Sequence, residues 1–130
     1  MSRKYAFNLA ASVLTFFMGF SHFFVPLFLP WEQHAADLYA PISWALYAMN
    51  FSFSYLLTLG GILTYVSFNH IAIRKWIVGG MASFWIAGGV YQLVIPFPLD
   101  EARWILPVIS FVIAILYLAV LFPLEKVEQQ

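Results

Sequence analysis

The chain has 130 residues, of which 63% are hydrophobic, 20% aromatic and only 9% charged, with equal numbers of basic and acidic side chains and no cysteine. A soluble domain carries about 25% charged residues, so this composition cannot coat a water-facing surface, and a soluble enzyme or binding module is excluded. The zero net charge argues against a nucleic-acid partner. The absence of cysteine removes disulfides, thiolate metal sites and Cys-x-x-Cys redox chemistry together.

Four stretches meet the requirement of about 20 predominantly apolar residues for a spanning helix. The expected fold is therefore all-α, a four-helix transmembrane bundle forming one integral membrane domain over residues 1–130. The first stretch, 7–29, carries no charge. Arg3 and Lys4 precede it as in a signal peptide, but its apolar run exceeds the about 7–15 residues of a signal sequence, and no small-x-small cleavage site follows. It reads as a retained helix. The second stretch, 42–66, is also uncharged, the third covers 76–94, and the fourth covers 104–121, with Pro123 helping to end it. The links at 30–41, 67–75 and 95–103 are short, which makes sequential helices antiparallel neighbours in an up-down-up-down order.

Arg3, Lys4, Arg74, Lys75 and Lys126 fall on one side of this arrangement, and only Arg103 falls on the other. The excess of Lys and Arg on cytoplasmic loops then places both termini in the cytoplasm, in a multi-pass protein of a bacterial inner membrane. Glu32, Asp37, Asp100 and Glu101 make the outer face acidic. Trp31, Tyr39, Trp44, Trp76 and Trp104 lie near span ends, where amphipathic rings anchor at the interface.

Helices in lipid associate through small and polar residues rather than through the exclusion of water. In the first span, Asn8, Ser12, Thr15, Gly19, His22 and Pro26 step alternately by four and three and share one face. In the second, Ser43, Tyr47, Asn50 and Ser54 follow the same steps, and Gly61 rejoins them after Leu57. In the third, Gly79, Ser83, Ala87 and Tyr91 step by four, while Gly80, Gly88 and Gln92 lie on an adjacent row that Phe84 interrupts. In the fourth, Pro107, Ser110, Ala114 and Tyr117 form a seam running back to Arg103. Gly19, Gly79, Ser83 and Ala87 are the expected helix-packing positions. Gly19-x-x-His22-x-x-x-Pro26 resembles Gly89-x-x-Gln92-x-x-x-Pro96, which hints at two related helical hairpins.

Rise per residue sets the depth of each polar group. His22, Asn50 and Ser110 lie about 10, 12 and 9 Å below the outer ends of their spans. If the seams face inward, His22, Tyr47, Asn50 and Ser110 converge in the outer half, and Gln92 joins them if its row also faces in. These five are the candidate ligand-binding residues of an outer-half pocket within the bundle, suited to a lipophilic molecule whose polar end a few groups can grip. The structural alternative is a polar cluster pairing His22 with Asn50 to fix helix register, because an unpaired polar group in hydrocarbon costs several kcal/mol.

No cofactor is expected. Three scattered His without Cys show no zinc-ligand spacing. A bis-His haem needs a second His to reach His22: His34 sits in the outer loop twelve residues later, and His70 lies on the opposite side and cannot join. In size and span number the layout resembles the broad group of small bacterial four-helix membrane proteins that includes DoxX-like proteins; no residue motif carries family sites across. The functional expectation is a small polytopic membrane protein that binds a lipophilic small molecule or serves as an accessory subunit, in a homo-oligomer or a larger membrane complex, with the lipid bilayer as its first partner. Two alternatives belong to other classes. One is a membrane enzyme on a lipid or quinone-like substrate, with His22 as general acid or base and Asn50 and Tyr47 orienting. The other is a small oligomeric transporter.

Overall fold

A computed structural model describes residues 2–29, 31–95 and 103–122. Pro30, Pro96, Asp100, Glu101, Pro123 and Lys126, and the side chain of His34, lie outside what is described, as do the expectations attached to them. The described residues are helical, with no strand among them. Six α-helices run in chain order: α1 (Arg3–His22), α2 (Val25–Phe28), α3 (Trp31–Ala35), α4 (Ala40–Val66), α5 (Ile71–Val94) and α6 (Ile105–Leu121), with a 3-10 turn at Ser67–Asn69 between α4 and α5. By length and composition, Ala40–Asn69 and Ile71–Val94 are apolar enough to cross a membrane, and α6 is a shorter apolar helix.

Local chemistry sets these boundaries. Ser2 caps α1, its Oγ accepting from Tyr5 N at 3.2 Å, so the helix starts before the expected 7. It also stops earlier than expected, which corrects the continuous 7–29 helix. Pro26 has no N–H, so the carbonyl four residues back, on His22, loses its helical partner. The chain tightens there, with Phe23 N bonded to Phe20 O and Phe24 N to Ser21 O, before α2 resumes with Pro26 in its first turn. Pro41 sits in the first turn of α4, where its missing N–H costs nothing and its fixed φ suits a helix start. Helix α5 begins at Ile71, five residues ahead of the expected span, and so carries Arg74 and Lys75 on its own first turns. Arg74 Nη1 donates to Phe68 O at 3.0 Å, and its guanidinium lies over the Phe68 ring at 5.1 Å, which pins the turn against the helix.

The helices assemble as two hairpins. Helix α1 packs along α4, α5 packs along α6, the hairpins meet chiefly along α1 and α6, and the α4–α5 contact is slight. The α1–α4 crossing is close at two levels. A Cβ on Gly19 would stand 2.7 Å from Leu57 Cβ, and one on Gly61 would stand 2.7 Å from Phe16 N and 2.8 Å from Ser12 O. Ala11, Leu57, Val78, Ala82, Trp85, Ile113, Ala114, Tyr117 and Val120 form the buried apolar core.

In α5 the inward row is Val78, Ala82, Trp85 and Gly89. Ser83 and Ala87, expected in the packed seam, are exposed. Gly79 is half-buried, with only Leu121 Cδ1 near its absent Cβ, at 4.0 Å, and Gly80 and Gly88 meet nothing within 4 Å. This corrects the expected packing face by one position, a rotation of about 100°. The large apolar Trp85 is the side chain that the bundle interior takes up, and the row of small residues turns outward.

Candidate functional site

One end of the bundle carries Arg3, Lys4, Arg74 and Lys75, and is called here the basic end; the other carries Glu32 and Asp37 and is the acidic end. Buried polar groups concentrate towards the basic end. Asn8, Ser12 and Thr15 on α1, Thr64 on α4 and Tyr117 on α6 are all buried. Trp85 Nε1 donates to Thr15 Oγ1 at 3.1 Å. Thr15 Oγ1 lies 2.9 Å from Tyr117 Oη, Tyr117 Oη lies 3.2 Å from Thr64 Oγ1, and Ser12 Oγ lies 2.9 Å from Thr64 Oγ1. Asn8 Nδ2 donates to Thr64 O at 2.9 Å. All four long helices are tied into one network.

Each hydroxyl has one proton to place, and one direction of donation along the chain satisfies them all, with Thr64 and Tyr117 each choosing between two acceptors. Thr64 donates to the carbonyl of Gly60 or Gly61, at 3.0 and 2.9 Å, so Ser12 donates to Thr64. Trp85 can only donate, so Thr15 accepts from it and donates on to Tyr117. Tyr117 donates to Ala11 O at 3.3 Å or to Thr64. Every proton in the chain ends on a backbone carbonyl or on the next hydroxyl. Such a network fixes helix positions and offers no group that both gives and takes a proton from outside. One acceptor remains over: Asn8 Oδ1 is buried without a hydrogen-bond partner among the described residues.

The five expected ligand-binding residues are placed in separate pairs. Asn50 Nδ2 donates to His22 O at 2.9 Å; it satisfies the carbonyl that Pro26 orphans, rather than meeting the imidazole. The His22 ring turns back on its own helix, Nδ1 lying 2.6 Å from Met18 O, and packs edge-on to Phe53 with centroids 5.1 Å apart. Tyr47 packs edge-on to Trp31 at 5.6 Å. Ser110 Oγ lies 3.3 Å from Gln92 Oε1 and 3.0 Å from Leu106 O, two acceptors for its one proton. Thus His22 meets Asn50 through the backbone, Ser110 meets Gln92, and the two pairs belong to different hairpins.

The described cavities are interhelical grooves with almost wholly apolar walls. One of about 300 Å³ lies beside the α1–α4 crossing, bounded by Phe16, Phe17, Ile62 and Tyr65. One of about 400 Å³ lies between α1 and α6, bounded by Leu14, Met18, Val108 and Val112. The third, of about 250 Å³, occupies the slack α4–α5 seam and is lined by Phe53, Leu56, Leu57, Met81 and Phe84. Among the described residues, no group of three His, Cys, Asp or Glu is gathered as a metal site requires.

Sequence reasoning missed Thr64 and Trp85. Thr64 continues the four-three steps of the second span past Gly61. Trp85 lies in the middle of its span, away from the interfaces that tryptophans prefer, and a buried indole N–H needs an acceptor. Both were signals in the residues. Comparison with family models, curated proteins and solved structures finds no match to this chain, so the functional reading rests on the geometry alone.

Proposed function

We propose that the chain is a four-span integral membrane protein, up-down-up-down with both termini in the cytoplasm of a bacterial inner membrane, and that it acts without catalysis, binding a lipophilic molecule as an accessory subunit. The observation that carries this reading is inverted polarity. Ser54, Thr15, Thr64 and Tyr117 are 0% exposed, whereas Phe17 is 62%, Trp44 72%, Trp76 74% and Ile115 63% exposed. Soluble monomers rarely expose contiguous apolar patches beyond a few hundred Å², and backbone in hydrocarbon must satisfy itself, as helices do. Helix α1, interrupted at Phe23–Phe24 and resumed in α2, reaches far enough to cross when the two are taken together. Helix α6, about 26 Å long, crosses a core of about 30 Å with its flanking residues.

Against enzymatic use, the groups that would orient a substrate beside His22 are engaged elsewhere: Asn50 on a backbone carbonyl and Tyr47 against Trp31. In favour of binding, the polar groups close on one another inside, and apolar grooves open to the outside, where an oily molecule can enter from the bilayer.

The cysteine-free sequence makes the topology directly testable. Single cysteines at positions 37 and 70 are exposed in turn to a membrane-impermeant maleimide on intact cells. The expected result is labelling of Asp37→Cys from outside and of His70→Cys only after permeabilisation. Labelling of both from the same side removes the four-span reading. Gentle extraction followed by native mass spectrometry then reads the second half of the proposal: a retained lipophilic molecule or partner subunit is expected, and a bare chain under every mild condition overturns it.

A further inference from the structure

We propose that the basic end of the bundle is a binding surface for anionic phospholipid, with the lipid phosphate seated on the Arg74 guanidinium and the net negative charge of the head held by cations from both hairpins. The proposal rests on the membrane reading above, which sets this end at the level of the lipid head groups, and adds the class of lipid that the end selects.

The first observation is uncompensated charge. Arg3 and Lys4 open α1, Arg74 and Lys75 lie on the first turns of α5, and neither first turn holds an acid. The described side-chain carboxylates, Glu32 and Asp37, lie at the opposite end. Counting the chain that follows α6, Lys126, Glu125 and Glu128 join the sum, and a positive excess remains. One ring draws these charges together. Tyr5, next to Lys4, packs edge-on to Phe68 with centroids 5.3 Å apart, and the Arg74 guanidinium lies over the same ring at 5.1 Å. Phe68 thus gathers the basic starts of α1 and α5, which belong to different hairpins. Like charges gathered this way repel, and an anion at the same level relieves them.

The second observation is the posture of Arg74. One N–H is spent on Phe68 O at 3.0 Å, the ring face holds the guanidinium, and its remaining N–H groups have no acceptor among the described residues. A planar fork of donors matches two phosphate oxygens at once and keeps its charge at any physiological pH. Half-buried and held on two sides, this fork loses less side-chain freedom on binding than a loose surface arginine. Beside it, Lys75 lies over the exposed Trp76 ring at 5.4 Å, the pairing of cation and aromatic that suits the head-group level. Net charge then decides between lipids. A zwitterionic head presents the same phosphate but brings a cation of its own into a region already rich in them, whereas a phosphoglycerol head brings none. A phosphate tethered in the leaflet is also present at this level at a higher effective concentration than a free ion, which makes the lipid its source.

The test uses the full chain in mixed micelles with equimolar phosphatidylglycerol and phosphatidylcholine, read by native mass spectrometry of the species retaining one lipid. Phosphatidylglycerol is expected to exceed phosphatidylcholine about fivefold, the scale of one Lys or Arg at an anionic surface. Arg74→Gln should lower the ratio to about twofold or less. Lys4→Gln combined with Lys75→Gln should lower it likewise while keeping the Arg74–Phe68 contact, so the surface remains testable if Arg74→Gln folds poorly. Arg103→Gln, an equal loss of charge at the acidic end, should leave the ratio unchanged. A ratio near one in the unaltered protein, or an equal fall in Arg103→Gln, overturns the proposal. Inorganic phosphate at millimolar concentration and constant ionic strength should not displace the lipid; displacement would reveal a site for the free ion and overturn the lipid assignment. A ratio near one with the expected maleimide labelling is a failure of this inference alone, whereas labelling of positions 37 and 70 from the same side is a failure of the four-span reading.

Discussion

The two halves of this bundle handle polar groups in opposite ways. Towards the basic end, small hydroxyls and one phenol bridge between hairpins: Thr15 to Tyr117 joins α1 to α6, Thr64 to Tyr117 joins α4 to α6, and Trp85 to Thr15 joins α5 to α1. Towards the acidic end, the side-chain polar contacts among the described residues stay within one hairpin, Asn50 with His22 O in α1–α4 and Ser110 with Gln92 in α5–α6. Short side chains let helices approach, so their hydrogen bonds fall between close neighbours in the centre. Longer groups near Pro26 are drawn to local backbone defects instead. The basic half holds the hairpins to each other, the acidic half holds each hairpin to itself, and the α4–α5 seam can stay slack where no hydrogen bond crosses it among the described residues.

The comparison breaks most severely at the α1–α4 crossing. In Gly61→Leu the new side chain would meet Phe16 N and Ser12 O, both backbone atoms that can move only if the helix moves. The Ser12–Thr64 bond parts with them. Overpacking of this kind costs about 1–3 kcal/mol and occasionally more, and a loss of about 3 kcal/mol is expected in reversible unfolding in bicelles. A loss below about 0.5 kcal/mol, the range of an ordinary surface change, shows that the helices do not cross this closely.

A paired substitution on α5 tests which face the bundle uses. Ala82→Leu, at a buried position, should cost about 2 kcal/mol by overpacking. Ser83→Leu, one residue on and exposed, should stay within about 0.5 kcal/mol of the parent. The reverse order would restore the small-residue row as the packed face. In the same assay Tyr117→Phe removes the hydroxyl that receives Thr15 and reaches Ala11 O and Thr64. On the proposed membrane reading, where hydrogen bonds between helices average about 0.6 kcal/mol and reach about 1.7, losing this hub should cost about 1–2 kcal/mol. It should also weaken association between the hairpins, read as increased proteolysis in the turn between α4 and α5, at Ser67–His70.

The residues made half of this contrast legible. The four-three steps of Asn8, Ser12, Thr15 and Gly19 identify a face, and all four are buried. The steps of Ser54, Leu57 and Gly61 on α4 do the same. Helix α5 defeated the method, because small residues occupy two adjacent rows and the inward one carries the large Trp85, whose value lies in its N–H and not in its size. The outer-half convergence was illegible for a different reason. Depth and face bring Cα atoms together, but which atom an Asn or a His side chain bonds depends on which backbone groups lack partners. Pro26 marks such a group, and the arithmetic of a missing N–H leads to His22 O without any structure. Three-dimensional packing was needed to show that Asn50 is the side chain that answers it.

That link gives the finest test. If Asn50 is present because Pro26 leaves the His22 carbonyl unpaired, the two positions must couple. Asn50→Leu alone should cost about 1 kcal/mol, since it strands a half-buried acceptor. Pro26→Ala restores an N–H four residues after His22 and lets α1 run on into α2, so the carbonyl regains a partner within its own helix. In that background Asn50→Leu should cost close to nothing. The interaction term of the double-mutant cycle should therefore be about 1 kcal/mol in the direction of rescue, above the about 0.3–0.5 kcal/mol scatter of independent sites. Additive losses would mean that Asn50 serves something other than this carbonyl, and the imidazole of His22 would again be its natural partner. A positive term makes the acidic half a set of repairs to the backbone of each hairpin, in contrast to the basic half, where the hydroxyls of three helices and the indole of a fourth are one another's partners.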